Sequence, residues 1–359
     1  MSPPAPVRPW LIYGANGYTG RLVTEAAVRQ GHAPLLAGRD AIAVGETATR
    51  HGLPTQIFSL DDPLKLREAL TGIAVVAHCA GPFSATSRPM IDACLATGTH
   101  YIDITGEIAV FEAAQTRDAE ARSAGVVLCP GVGFDVIPTD CVAATLHEAL
   151  PGARQLALGF DTGSGLSAGT ARTSVEAMRH GGQVRSHSRL TRAPLGSLRR
   201  TIDFGRGAKH AVAIPWGDLA TAWFSTGIPE IAVYVPIPRA VALALRLADP
   251  LRPLLCCASV QRWLKAAVDA RVKGPSASAR AALPTWVWGE ARDAAGRTAV
   301  ARVRTANVYD VTASGVMLAV EHLLAHDGDG GYVTPSRLLG SRCVERLPGS
   351  SRLEVEVSG

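Results

Sequence analysis

The chain of 359 residues is 47% hydrophobic, 19% charged and 5% aromatic, and 36 Lys plus Arg against 31 Asp plus Glu give a formal charge of +5. Domains run to roughly 100–200 residues, so this length points to two domains with well-buried cores, and the apolar fraction excludes a disordered chain. The basic residues are scattered rather than gathered into a stripe, which argues against nucleic acid as a partner.

Over the first 130 residues, short apolar runs alternate with helical patterns. Strands are expected at Trp10–Tyr13, Pro34–Ala37, Gln56–Leu60, Ile73–His78, Tyr101–Ile104 and Val126–Cys129. Between them a helical face runs from Leu22 to Gln30, and further helices fall at about 40–51, 63–70, 85–97 and 107–123. That rhythm predicts βαβ units and an α/β fold with a Rossmann-type, doubly wound parallel sheet. After Pro130–Gly133 the rhythm changes. A helix at 138–150 precedes strands at 154–161, 184–190, 198–204, 209–215, 230–236, 285–293 and 298–305. The last two are joined by a hairpin turn at Asp293–Gly296. This reads as a second α+β domain on a mostly antiparallel sheet, followed by a helix at 308–325 that the Gly- and Asp-rich 327–331 ends. The expected division is a nucleotide-binding domain at 1–130, a substrate and dimerisation domain at 131–305, and a segment at 306–359 returning to the first.

The seven cysteines include no C-x-x-C pair, so neither a zinc site nor a disulfide framework is expected, and free thiols fit a reducing, cytoplasmic setting. MSPPAPVRP has prolines where a signal peptide carries its apolar run and reads as a loose tail. The stretch 231–260 is the most membrane-like, but Pro236, Pro238, Arg239, Arg246, Asp249, Pro250, Arg252 and Pro253 interrupt it. It never supplies the roughly 20 apolar residues of a spanning helix. The expected partner is a small-molecule substrate, and an exposed edge of the second sheet makes a homodimer natural.

The strongest chemical signal is Gly14-Ala-Asn16-Gly17-Tyr18-Thr19-Gly20, which follows the first strand and opens the first helix. Glycines there allow a tight turn, close approach of a pyrophosphate and close helix–strand packing, and the helix dipole then favours the phosphates. At the end of the second strand, where an NAD-selective fold usually places Asp or Glu, stands Arg39. A guanidinium suits the 2′-phosphate of NADP(H); the alternative is an exposed arginine pairing with Asp40 or Asp61. At the end of the fourth strand, Ala80-Gly81-Pro82-Phe83 is placed to border the nicotinamide end of the cofactor, or is simply a Gly-Pro turn. Glu107 and Asp135 are candidate proton-handling carboxylates, although Glu107 also suits a helix start and Asp135 a cap.

IYGANGYTGRLV, LAGRD, CAGPF, HYIDITGE and PGVGFDVIPTD, in this order, resemble the saccharopine dehydrogenase-like NADP-binding family, and most of all its stand-alone bacterial branch. The similarity is dense over 10–140 and continues through Ser164–Thr170, Pro215–Asp218 and Ser225–Pro229. That resemblance implies a Rossmann domain, a substrate domain whose sheet often mediates dimerisation, and NADP(H)-linked reduction of C=N or C=C bonds. The segment Gly159–Thr173 is small and Gly/Ser-rich, with Arg172 its obvious cation, which suits a less charged substrate than saccharopine. Phe134, Thr170, Arg172 and Trp216 are the expected substrate residues, with His180, Lys209 and His210 as further polar candidates. The expected activity is NADPH-dependent reduction of an enoyl C=C bond in an acyl or polyketide-like molecule. The alternatives are an imine reductase of the saccharopine reductase type, and a non-catalytic NADP(H) sensor, which the missing Tyr-x-x-x-Lys dyad leaves open.

Overall fold

The computed structural model describes residues 9–162, 181–248, 257, 259–262, 266, 283–326 and 328–358. The chain divides into two compact units. The first takes the described residues up to Thr105, then Ala109–Phe134 and Thr312–Leu339; the second takes Gly106–Ile108, Asp135–Val311 and the chain from Gly340.

The first unit opens with β1 (Trp10–Tyr13), α1 (Tyr18–Arg29), β2 (Leu35–Gly38), α2 (Ala41–His51) and β3 (Thr55–Ile57). It continues with α3 (Pro63–Leu70), β4 (Val75–His78), α4 (Phe83–Thr97) and β5 (His100–Asp103), then α5 (Ile108–Gln115), α6 (Asp118–Ala124) and β6 (Val127–Cys129). Local chemistry sets several boundaries. Asp40 accepts from the Ile42 and Ala43 amides to start α2, and Gly52 ends it in the left-handed conformation. Asp62 caps α3, with Pro63 in its first turn. All four residues of β1, β4 and β5 are buried, as a sheet covered on both faces requires.

The parallel sheet runs β3-β2-β1-β4-β5-β6, and a short strand from the C-terminal part of the chain, β15 (Gly331–Tyr332), adds to β6. The order reverses between β1 and β4, and it is beside such a reversal, at the carboxyl ends of the strands, that doubly wound sheets bind their ligands. The helix expected at 107–123 is two helices. Arg117 closes the break, donating from its backbone to Ala114 and from its guanidinium to Asp92 and Glu120, while Asp118 turns its carboxyl to the Tyr332 amide.

The second unit holds α7 (Ile137–Ala149), β7 (Ala153–Thr162), β8 (Gly182–Ser186), β9 (Arg189–Ala193), β10 (Arg199–Asp203) and β11 (Ala208–Ile214). It continues through α8 (Asp218–Thr226), β12 (Glu230–Pro236), α9 (Arg239–Ala248), β13 (Thr285–Asp293) and β14 (Thr298–Thr305), and ends with β16 (Glu354–Ser358). Between these last two strands the chain forms α10 (Val308–Leu324), β15 and α11 (Pro335–Leu339). The sheet runs β10-β11-β12-β7-β13-β14-β16; β7 and β12 are parallel and the other pairs antiparallel. Helix α7, buried along most of its length, packs on β7, β13 and β14 and against α8.

The single strand expected at 184–190 is a hairpin, β8–β9, turning at His187 and Ser188 with φ of 49° and 63°. Two consecutive left-handed residues make a hairpin turn that usually takes Asn or Gly, and His187 is steadied by the Glu230 carboxylate on its amide, 2.7 Å away. No helix among the described residues is long and apolar enough to cross a membrane.

One carboxyl stitches the first sheet at its ligand-facing end. Asp103, 1% exposed at the end of β5, accepts from the Tyr101 hydroxyl at 2.6 Å, the Thr105 amide at 3.0 Å and the Gly131 amide at 2.8 Å. Tyr101→Phe removes the shortest of these bonds from a buried group. It is expected to destabilise the first unit by about 1–3 kcal/mol, read as a lower urea midpoint with unchanged slope; an unchanged midpoint would show that Asp103 does not need that donor.

Candidate functional site

The candidate cofactor cradle is built on the turn between β1 and α1. Gly14 has φ +82°, and a Cβ there would sit 2.8 Å from the Ala80 Cβ and 2.9 Å from the Ala80 amide nitrogen. A Cβ on Gly20 would strike the Gly14 carbonyl oxygen and come within 2.9 Å of the Ala15 Cα. Both positions therefore demand glycine on steric grounds. The Gly14 amide donates to the Ala37 carbonyl at 2.8 Å, which ties the turn to the end of β2 two residues before Arg39. Asn16 lies beside Gly38, its Oδ1 3.4 Å from where a Cβ would be. Helix α1 starts from Gly17 with no side-chain cap and no acidic residue in its first turn. Its positive dipole end is thus not neutralised by a carboxylate of its own, the arrangement that suits phosphate. The cofactor-binding residues read from the sequence, Gly14 to Gly20 with Arg39 and Ala80, come together here.

Arg39 is exposed and makes no ion pair among the described residues. The two carboxylates that were its alternative partners are engaged elsewhere. Asp40 caps α2, and Asp61 accepts from the Ser59 hydroxyl at 2.9 Å.

The loop after β4 is held by a buried histidine. The Thr86 hydroxyl, with one proton, lies 2.8 Å from the Ala80 carbonyl oxygen and so donates to it. Toward His78 Nε2, 3.0 Å away, the same oxygen must then accept, which places the imidazole proton on Nε2 and leaves Nδ1 bare in the core. Burial pushes the His78 pKa down to about 3, so the ring stays neutral. Phe83 packs edge-on against His78, with ring centroids 5.3 Å apart, and is buried, while Gly81 and Pro82 are exposed. Cys79 is no nucleophile: burial, with Asp103 nearby, pushes its thiol up to about 12.

Two carboxyls flank the chain crossings into the second unit. Glu107 immediately precedes α5. Asp135 lies over Gly106, its Oδ2 2.7 Å from where a Cβ would be, so the peptide adjoining Glu107 and the Asp135 carboxyl meet. Part of Asp135 reaches the surface, yet the desolvating surroundings of its carboxyl push its pKa up to about 7. The Trp216 indole donates to the Asp135 carbonyl at 2.9 Å and its ring lies 4.9 Å from that of Phe160. Phe134 is buried in the first unit, and its amide donates to the Thr312 hydroxyl at 3.0 Å.

Thr170, Arg172 and His180 lie outside the described residues. Lys209 is paired with Asp161 at 2.6 Å, and His210 Nδ1 meets the Ile237 carbonyl at 3.0 Å. Among the described residues, no group of three His, Cys, Asp or Glu could hold a metal ion. Sequence reasoning missed Asp218, a fully buried carboxyl that accepts from Thr139 at 2.7 Å. Its position in Pro215-Trp-Gly-Asp218 was visible, but its burial depends on a residue far away in the chain.

A parallel sheet in Rossmann order, with a glycine turn too tight for any side chain and an uncapped helix start at its reversal point, defines a dinucleotide-binding domain. Residues 10–129 match the family described as the saccharopine dehydrogenase NADP binding domain, so this part of the chain is an NADP-binding domain of that kind. Among curated proteins, the human saccharopine dehydrogenase-like oxidoreductase is 32% identical over 150 residues, covering 36% of this chain and 35% of that protein. A Mycobacterium tuberculosis protein that carries the name of a trans-acting enoyl reductase is 31% identical over 149 residues, covering 39% and 35%. The matched stretch thus spans about a third of the length of these relatives. The apo saccharopine dehydrogenase (L-Glu forming) of Saccharomyces cerevisiae shares the fold across 98% of this chain and 100% of its own, with a TM-score of 0.66 at 11% identity.

If Arg39 reads the 2′-phosphate, Arg39→Ala will weaken NADPH binding by about 10- to 100-fold, the worth of a charge-assisted contact. NADH binding will change by less than about twofold, since its ribose offers a diol to that position. Fluorescence titration of both nucleotides decides it, and equal weakening of the two would contradict the assignment.

Proposed function

We propose that this chain is an NADPH-dependent reductase of a C=C bond conjugated to a carbonyl, in an acyl or polyketide-like small molecule. The observation that carries the reading is Asp135, a carboxyl that burial holds in its acid form up to about pH 7. It stands in the chain directly after the NADP-binding unit. Acids poised near neutral pH are what proton transfer requires.

The Gly14–Gly20 turn would hold the pyrophosphate, Arg39 the 2′-phosphate, and Ala80–Phe83 would border the nicotinamide end. NADPH, when bound, supplies a hydride to the β-carbon of the substrate. The remaining work falls to the protein. Reduction of an enone leaves negative charge on the carbonyl oxygen and calls for a proton at the α-carbon, and Asp135 in its acid form carries such a proton at its carboxyl. Trp216 keeps that residue in place through its backbone carbonyl. Glu107, next in the chain to the glycine that Asp135 covers, is the second carboxyl to which we assign proton handling.

A substrate of low charge fits the described part of the second unit. Lys209 spends its ammonium group on Asp161, and Arg200 spends its guanidinium on both oxygens of Glu290 at 3.0 Å. The name of the mycobacterial relative supports the enoyl assignment. The name saccharopine dehydrogenase-like on others favours a second reading, reduction of a C=N bond.

The two readings differ at Asp135. An iminium already carries the positive charge that makes it accept hydride, so Asp135→Asn should cost it little. An enone needs the acid, and the same substitution should lower turnover by about 100-fold or more. Because the protonated form acts, wild-type turnover should be level below pH 7 and fall about tenfold per unit above it; the variant should lose that slope. NADPH oxidation with panels of enoyl thioesters and cyclic imines makes the comparison. Turnover of enoyl thioesters by Asp135→Asn at the wild-type rate would end the proposal.

A further inference from the structure

The sequence Pro215-Trp216-Gly217-Asp218 forms a turn that leads into α8 and grips the start of α7 at two places. Trp216 Nε1 donates to the Asp135 carbonyl at 2.9 Å, and two residues later Asp218 Oδ1 accepts from the Thr139 hydroxyl at 2.7 Å. Farther along, the pairing is reversed: the Ser225 hydroxyl of α8 donates to Asp140 Oδ1 of α7 at 2.6 Å. The near end of α8 is itself anchored. Buried Arg185 donates to the Leu219 carbonyl at 2.5 Å and the Ser188 carbonyl at 2.8 Å, and its guanidinium lies 4.5 Å over the Trp223 ring.

Asp218 is odd within this arrangement. It is 0% exposed; its Oδ2 makes no well-formed hydrogen bond, although the Thr221 hydroxyl of the same helix interacts with its carboxyl. The ionisable groups that act on it are Asp140 of α7 and Asp135, both acidic, while Arg185 on β8 is committed to backbone carbonyls. A carboxylate shut away from water beside two other carboxyls is strongly disfavoured. Burial and these neighbours raise the Asp218 pKa well above the usual carboxylate range.

We propose that Asp218 is a positioning residue for Asp135: through Thr139 it anchors the first turn of α7, while Trp216 of the same turn holds the Asp135 carbonyl, and together they keep the Asp135 carboxyl in its dry position over Gly106. Asp218 does this as a neutral acid, through the shape and hydrogen-bonding capacity of its carboxyl rather than through charge. The inference rests on Asp135 being the proton-handling group.

The test follows the Asp135 carboxyl directly, with no substrate required. Protein labelled with 13C at aspartate carboxyls is titrated by NMR, and the Asp135 signal is identified by its loss in Asp135→Asn. In the wild type it should titrate near pH 7. Asp218→Asn keeps the shape and the acceptor for Thr139, so the midpoint should stay within about 0.3 unit. Asp218→Ala, or Thr139→Val if the first variant does not fold, should lower the midpoint by about one unit or more as water reaches Asp135. Thermal unfolding separates this effect from loss of stability alone.

A folded Asp218→Ala or Thr139→Val protein whose Asp135 still titrates near 7 would overturn the proposal. So would an Asp218→Asn protein shifted as far as Asp218→Ala, because charge rather than shape would then matter. An ordinary carboxylate midpoint in the wild type, or full enoyl turnover by Asp135→Asn, would instead defeat the reading of Asp135 itself. The two failures are therefore told apart.

Discussion

The turn between β1 and α1 has no space for a side chain, and that steric limit organises the first unit. Helix α1 starts so close to the strand that a Cβ on Gly20 would meet the Gly14 carbonyl, and Gly14 is so close to the β4 loop that a Cβ would meet Ala80. Close packing brings three separate pieces of chain together: the uncapped helix start, the end of β2 that leads to Arg39, and the loop after β4. The Gly14-to-Ala37 hydrogen bond locks the first two in register. The His78–Thr86–Ala80 chain of hydrogen bonds locks the third. Because His78 is neutral across the whole physiological range, that lock does not change with pH.

The same residue type has different fates in the two units, and the difference lies in the surroundings of each carboxyl. Asp103 receives one hydroxyl and two backbone amides, so it works as a strut between strands. Asp140 is buried and accepts from Ser225. Asp135 is held by its backbone carbonyl, and desolvation governs its carboxyl, which raises its proton affinity toward neutral pH. Asp218 accepts the Thr139 hydroxyl on one oxygen and makes no well-formed hydrogen bond on the other, with the Thr221 hydroxyl beside its carboxyl. A buried carboxyl that is well supplied with donors contributes structure; one left undersupplied stays protonated and can give its proton away.

The first unit was the more legible because its signals are local. Strands β1 and β4 are continuous apolar runs, α3 announces itself by Asp62-Pro63, and the glycine turn declares its purpose by spacing. Strands β12, β13 and β14 were equally plain, since β-branched residues and alternation mark them and a hairpin turn joins the last two. The failures have physical causes. The β8–β9 turn is made by His187 and Ser188, residues that carry no turn signal and are held at positive φ by a tertiary contact from Glu230. The helix break at Thr116–Arg117 depends on Asp92 and Tyr332, both distant in sequence. Asp218 escaped notice because nothing near it in the chain says that it is buried; Thr139, 79 residues away, says so. Motif spacing thus reveals backbone geometry, whereas the proton affinity of a carboxyl depends on what folds over it.

The arrangement of charge in the second unit bears on what the site can accept. A cation inside a partly dry sheet is costly unless it is paired. Two described cations of the sheet are paired within the protein: Lys209 on β11 with Asp161 on β7, and Arg200 on β10 with Glu290 on β13, its guanidinium also 5.2 Å over the Trp288 ring. An anionic substrate would have to displace a carboxylate already at hydrogen-bond distance and leave it unpaired, which costs more than the new contact returns. A neutral acyl chain faces no such competition there, and under the proposed reading the protonated Asp135 carboxyl has a use only when the substrate accumulates negative charge during reduction. Under the proposed reduction, charge pairing and proton affinity, set by different residues, suit the same kind of substrate: uncharged at first, and an anion only as the hydride arrives.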